Sequence, residues 1–457
     1  MAPPRIARPS RTRSGAGSGV PNRLRLRRAG YVLIPKMVFA DECGQVMDHP
    51  HWDMVVHDGA GYRTPRRDEL IPLPEGSDLY LLPGRQPMGR EPRTRRIRAF
   101  GAGYGEPVQA MAAFVAPAYL RLLHPAYETQ KCAPELPLFA YTAVGWADER
   151  FWVAAVRVDP ERRQDPPLFD LDAIESAVHR ELKGHPENRL YRQLERCALE
   201  YGCRAAQNFY LHRWEAPLPT ARTCNAACIG CISEQEDDRC PANHERIAFT
   251  PTAEEVAEVA VPHFERVENA VASFGQGCEG EPLVNGALLE ESIRLIRSRT
   301  KRGTINLNSN ASLPKTVRRL LDAGLDSLRV TIASAYEPMY ELYHRPRGYE
   351  LADVVASMHA VKEAGAFLSL NLLVFPGVTD TERELEHLVP LLRDPGVDLI
   401  QMRNLNLDPE MYLTKVKERL GEEKSIGLGA FMKRLKEAQP ALKFGYFNPY
   451  VKKENAE

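Results

Sequence analysis

Ala221-Arg222-Thr223-Cys224-Asn225-Ala226-Ala227-Cys228-Ile229-Gly230-Cys231 sets three cysteines at Cys-x3-Cys-x2-Cys spacing. Thiolates this close in sequence can surround one face of an iron–sulfur cube, in which each iron takes a thiolate. Three ligands for four irons leave one iron open, and an open position lets a metal bind a substrate or cofactor directly. The same cysteines admit two other readings. Cys240 or His244 can complete a tetrahedral zinc site with them, as in an interaction module. Alternatively, Cys240 closes a four-cysteine cluster that only carries electrons or senses redox state. Spacing alone leaves these readings open.

Beyond Pro217 the chain alternates helix, glycine and apolar strand. Residues 252–267 carry Val256, Val259, Ala260 and Phe264 on one helical face, and a strand over 269–274 follows. Residues 304–307 read as a strand. A helix over 314–323 opens on Pro314 and stops at Gly324, ahead of a strand over 327–332. The pattern returns as helix 351–364, strand 367–375, helix 381–392 and strand 397–402. Strand starts fall roughly 25–40 residues apart, one βα unit each. Such alternation means a parallel sheet. A closed or partly closed barrel is expected, with chemistry at the C-terminal ends of its strands.

A Cys-x3-Cys-x2-Cys loop leaving the first strand of repeating βα units is similar to the radical S-adenosylmethionine (radical SAM) superfamily, over about residues 217–410. The resemblance implies an α/β fold, a partial (β/α)6 TIM-like barrel, here preceded by an N-terminal α+β domain. It implies that Cys224, Cys228 and Cys231 hold a [4Fe–4S] cluster whose free iron chelates S-adenosylmethionine. Reductive cleavage would then give methionine and a 5′-deoxyadenosyl radical that abstracts a substrate hydrogen. An electron donor such as flavodoxin or ferredoxin is the implied partner. In such enzymes the cofactor carries the radical chemistry, and the protein supplies ligation, orientation and exclusion of side reactions.

Further residues extend the likeness. Ser273-Phe274-Gly275-Gln276-Gly277-Cys278-Glu279-Gly280-Glu281-Pro282-Leu283 resembles the superfamily's Gly-Gly-Glu-Pro motif, which binds the amino group of S-adenosylmethionine. Gly280 would permit close backbone approach, and Glu281 would accept from an ammonium. A turn before a helix is the plainer reading. Asn308 and Asn310 end the third strand and Ser334 the fourth, matching positions that hydrogen-bond the ribose and carboxylate. Arg345 offers the carboxylate a bidentate partner, or is a solvated surface arginine. Residues 370–379 resemble the adenine-binding end of the fifth strand, and 401–406 end the sixth in a polar cluster. One position departs. The residue before the third cysteine is usually aromatic and packs near the adenine, but here it is Gly230.

The remaining sequence sets limits. A net charge of −1 advertises neither a nucleic-acid nor a membrane partner, and a hydrophobic fraction of 44% is ordinary for a globular protein. No run reaches the ~18 apolar residues of a membrane span, and no secretory h-region opens the chain, so a cytoplasmic protein is expected. Residues 1–30 hold eight arginines and no acid, a composition that predicts a disordered tail. The expected division is then an N-terminal domain over 31–215, the barrel over 216–410 and a C-terminal helical extension over 411–457.

Within the N-terminal domain, 31–40, 52–57 and 78–82 read as strands, and 137–146 with 151–158 as a hairpin. Residues 109–123 read as a helix and 172–201 as one or two helices; none carries a catalytic motif. No cysteine follows Cys278, so a cysteine-rich C-terminal extension with further clusters is not expected. Cys197 and Cys203 read as buried free thiols, and the aromatics of 444–450 as packing for the last element. The substrate, a small molecule or a peptide, is not legible, because one fold hosts many reactions.

Overall fold

The computed structural model describes residues 34–101, 107–235 and 240–451; the arginine-rich segment read as a tail lies outside them. Among the described residues, seven parallel strands form one sheet in sequence order. They are Glu215–Pro217, Val271–Phe274, Thr304–Ser309, Ser327–Ile332, Phe367–Val374, Leu399–Asn404 and Lys443–Gly445. The seventh, beyond the expected six, comes from the aromatic C-terminal segment, whose Phe444 pairs in register with Ile400.

Local chemistry fixes the crossover helices. Thr252 caps Ala253–Arg266 in a reciprocal capping box with Glu255. Pro314–Ala323 ends on Gly324 at φ 113°, the left-handed cap that the sequence suggests. The sequence reading gave no range for two of the crossover helices, Gly286–Arg299 and Glu337–His344. The latter has eight residues, too few for a clear periodic signal.

The sheet is curled but open, with Glu215–Pro217 and Lys443–Gly445 at its edges. Asn448 spans the interior. Its Nδ2 donates to Glu215 Oε1 (2.8 Å) and Ser273 Oγ (3.2 Å), and its Oδ1 accepts from Gln401 Nε2 (3.1 Å). One buried amide therefore ties the first, second and sixth strands together.

Strands between Lys36 and Arg157 build an 11-stranded sheet whose pairings are antiparallel. The expected hairpin is Val144–Ala147 with Arg150–Arg157, turning through Asp148 and Glu149, both at positive φ (49° and 57°). Residues 109–123 correct the helical reading. They form the strands Gln109–Phe114 and Tyr119–Arg121, the former paired with Asp78–Leu82. Ala110, Ala112 and Ala113 are buried, and a short run buried on both faces has no period to tell strand from helix. The helices Leu171–Gly184, Arg189–Leu199 and Arg204–Tyr210 join the barrel's core, where Tyr191, Leu194 and Phe209 pack in one cluster with Val256 and Phe264.

The antiparallel sheet sits over the C-terminal rim of the barrel. Asn404, ending the sixth strand, accepts the Arg121 N–H at Oδ1 (2.8 Å) and donates to the Tyr119 carbonyl (2.9 Å). His124 Nε2 donates to the Pro376 carbonyl (2.9 Å). Leu138 packs with Ile229, Phe375, Leu405 and Leu407. Arg85 pairs with Asp408 at 2.7 Å, each side chain 3% exposed. Asp408 also accepts the Leu136 N–H (2.9 Å) and caps the helix Pro409–Leu420. No helix among the described residues is long and apolar enough to cross a membrane.

Truncating one partner of a buried pair leaves the other charge uncompensated. Arg85→Met should therefore lower the denaturant midpoint, by ~3–5 kcal/mol in unfolding free energy. The double variant with Asp408→Leu should lose less than the sum of the two single changes. An unchanged midpoint in Arg85→Met would refute a structural role for the pair.

Candidate functional site

The cysteine loop leaves the first strand without regular structure, so its backbone bonds must come from neighbours. Helix Glu337–His344 and the residues just after it supply one side. Ala227 N–H donates to the His344 carbonyl (3.1 Å), Ile229 N–H to the Tyr343 carbonyl (3.0 Å), and Arg347 N–H to the Asn225 carbonyl (2.9 Å). The loop after the second strand supplies the other. Gly280 N–H donates to the Ala221 carbonyl (2.7 Å) and Glu281 N–H to the Thr223 carbonyl (3.0 Å). A Cβ on Gly280 would lie 2.1 Å from the Thr223 oxygen, so only glycine lets these backbones meet.

Glu279 locks this junction. Its buried carboxylate accepts N–H groups from Thr220 (2.7 Å), Ala221 (2.9 Å), Gly275 (2.7 Å) and Gln276 (2.7 Å). Burial pushes its pKa up to about 7, although those donors favour the charged form. In the sequence Glu279 carries no signal of its own, since the motif is defined by Gly280 and Glu281.

The nominated residues take different places. Glu281 is buried; one oxygen accepts from Ser309 Oγ (2.6 Å) and Leu283 N–H (3.0 Å), the other from Asn310 N–H (2.8 Å). A carboxylate offers about four acceptor positions, so one remains. Asn310 donates to Asn225 Oδ1 (2.8 Å), next to Cys224. Cys224, Gly280, Glu281 and Asn310 thus belong to one connected network. Asn308 is engaged elsewhere, donating to the Gly275 carbonyl (3.0 Å) and accepting from Asn306 (2.8 Å). Ser334 donates to Glu384 and accepts the Tyr336 N–H (3.0 Å). Arg345 is an exposed residue in the left-handed region (φ 47°), and its carbonyl accepts from Ala227 N–H (3.3 Å).

Other residues at the cysteines escaped the sequence reading. His344 Nδ1 lies 3.4 Å from Cys228 Sγ. Arg246 reaches Ser233 Oγ (3.1 Å) with Nε and Cys231 Sγ (3.7 Å) with Nη2. Tyr343 explains the missing aromatic: a Cβ at Gly230 would stand 3.0 Å from its hydroxyl and 3.3 Å from Leu407. The only sequence signal for His344 was its place beside Arg345, in a segment read for its arginine.

The donor chemistry fits a thiolate-held iron–sulfur cluster. Burial and then Glu281 push the Cys224 thiol up to about 11; burial and the other two cysteines push Cys228 higher still. Bare thiolates are disfavoured here, and a cationic metal core is what offsets that cost. Hydrogen-bond donors already face two of the sulfurs. Among the described residues, no three His, Cys, Asp or Glu side chains converge on a single ion position. The Cys240 thiol faces the Leu136 carbonyl (3.7 Å), and the His244 ring packs 4.9 Å from Tyr201. Cys197 is a buried free thiol, as expected, and hydrogen-bonds with the free thiol of Cys278; Cys203 is free but only half-buried.

A cavity of about 740 Å³ opens between the antiparallel sheet, the barrel rim and helix Pro409–Leu420. Ser334, Glu384, His57 and Tyr127 are in its wall; the three cysteines are not. Burial lifts Glu384 to a pKa of about 7.

Residues 218–389 match the family model described as Radical SAM superfamily. The FeMo cofactor biosynthesis protein NifB of Klebsiella pneumoniae is 26% identical over 178 residues, covering 36% of this chain and 38% of NifB. The chain therefore spans well under half of that relative's length. Among solved structures, anSMEcpe with bound AdoMet is 14% identical at a TM-score of 0.37, over 50% of this chain and 63% of that one. A radical SAM methyltransferase from Sphaerobacter thermophilus is 17% identical at a TM-score of 0.36, over 51% and 66%. Residues 218–389 are thus a domain of the radical SAM superfamily within this chain.

Proposed function

We propose that the chain is a radical SAM enzyme in which Cys224, Cys228 and Cys231 hold a [4Fe–4S] cluster and Gly280, Glu281 and Asn310 hold S-adenosylmethionine. The observation that carries this reading is the network joining Cys224 to Glu281 through Asn225 and Asn310. When bound, the cluster and S-adenosylmethionine supply reductive cleavage to a 5′-deoxyadenosyl radical. The chain's own residues do the positioning. Glu279 fixes the two loops against each other, so the cysteines and the Gly-Glu-Pro backbone keep one geometry. Glu281 keeps one acceptor position for the cofactor's ammonium. Asn308 and Ser334 can contact the cofactor only by extending or exchanging the bonds they now make, and Arg345 only by turning its exposed side chain inward.

Ile229, Phe375, Leu405 and Leu407, covered by Leu138, make an apolar roof beside the cysteine loop. Excluding water there protects a reactive intermediate. A reductant protein such as flavodoxin or ferredoxin would deliver the electron. Free thiols in this number suit a reducing cytoplasm. The cavity beside Ser334 offers space for a small-molecule or peptide substrate.

Cys228→Ala, reconstituted anaerobically, should lose the iron and sulfide of the cluster and all 5′-deoxyadenosine formation; full retention of both would refute the ligand assignment. Gly280→Ala forces a backbone shift at Thr223. It should retain the fold by circular dichroism yet bind less than half the wild-type iron, and wild-type loading would show that the contact does not govern the loop.

A further inference from the structure

One imidazole joins the cysteine loop to the end of the fourth strand. His344 is 2% exposed and ends the helix Glu337–His344. Its Nε2 lies 3.0 Å from the Ala333 backbone N–H, one residue before Ser334. A backbone N–H can only donate, so Nε2 must present its lone pair, and the ring proton resides on Nδ1. Nδ1 in turn lies 3.4 Å from Cys228 Sγ. The direction follows: Nδ1–H donates to the sulfur.

The ring is also held in place. Tyr340 stacks on it at 4.4 Å between centroids and 30° between planes, and Tyr343 meets it edge-on at 4.9 Å and 85°. Its backbone carbonyl accepts the Ala227 N–H (3.1 Å), one residue from Cys228. A ring flip would turn carbon toward both the Ala333 N–H and the sulfur, breaking two hydrogen bonds in a buried site.

We propose that His344 is a positioning residue for the cluster: its Nδ1–H donates to the Cys228 thiolate, orients that ligand and raises the reduction potential of the centre. This rests on the reading of Cys228 as a cluster ligand. Hydrogen bonds to ligand sulfurs are among the factors that set iron–sulfur potentials. A donor on sulfur stabilises the more negative, reduced state, and more strongly in a water-poor site. Arg246 acts on Cys231 from a longer distance, 3.7 Å, so the two sulfurs are not equivalent. The same ring fixes the Ala333 peptide, which ties the ligand's orientation to the strand end that carries Ser334.

Two substitutions separate the halves of the imidazole. His344→Asn keeps an N–H near the Nδ1 position and loses the acceptor for Ala333. His344→Gln keeps an acceptor near Nε2 and loses the donor to sulfur. Each reconstituted protein is titrated under EPR for its midpoint potential, with iron and sulfide measured alongside. In His344→Gln the reduced-to-oxidised ratio at a fixed potential near the wild-type midpoint should fall about tenfold, equivalent to ~59 mV for one electron. His344→Asn should stay near wild type. Equal midpoints in the Gln and Asn variants, with full clusters, would overturn the proposal.

A readout on the unmutated protein covers the case in which the variants do not load. With 15N-histidine incorporated, the reduced wild-type cluster should show a weak 15N hyperfine coupling, and its absence would also overturn the proposal. Failure of the wild-type chain itself to take up iron and sulfide would instead refute the cluster reading.

Discussion

An irregular loop that carries chemistry cannot hold itself, and here the constraint is met at the junction of Ala221–Thr223 with Gly280–Glu281. Two backbone hydrogen bonds cross it, and the Glu279 carboxylate gathers four more N–H groups around it. A buried carboxylate is costly unless its acceptor positions are filled, and Glu279 is surrounded by donors on both loops. The consequence reaches well beyond the turn. The cysteine loop, the Gly-Glu-Pro loop and, through Glu281 and Asn310, the end of the third strand are joined in one hydrogen-bonded unit.

The rail on the other side has a different character. Helix Glu337–His344 is short, yet its last turn offers two carbonyls to the cysteine loop, an aromatic ring against Gly230 and an imidazole to Cys228. Helix C-termini leave carbonyls without intrahelical partners. The loop N–H groups of Ala227 and Ile229 are those partners. The absence of an aromatic residue before the third cysteine then has a steric cause, since the Tyr343 hydroxyl and Leu407 occupy the space beside residue 230.

Above this frame, the antiparallel sheet is fastened to the barrel by groups that imitate strand pairing. The Asn404 amide bonds Tyr119 and Arg121 as a strand backbone would, and the Arg85–Asp408 pair lies buried in the seam. Asn404 and Asp408 are hydrogen-bonded at their points of contact, which is how polar groups are tolerated in an interface of this kind, whereas Arg85 Nε is buried without a partner. The sheet thereby forms part of the wall of the cavity at Ser334 and roofs the apolar cluster next to the cysteines.

The sequence by itself determined the parallel barrel and the cysteine triplet, because both are written in local spacing. Glycine and proline stops mark the βα units, and Cys-x3-Cys-x2-Cys is legible without any partner. Gly280 and Glu281 are nominated the same way, through a contiguous motif. Residues 109–123 were misread because burial on both faces erases the period that separates helix from strand. Asn448 as a seam, Glu279 as a lock and His344 as a sulfur donor were hidden for a different reason. Each acts on residues far away in the chain, so only the tertiary structure decided which atoms they would face. Spacing can nominate ligands, but the hydrogen bonds that orient them depend on which strand ends the fold brings together.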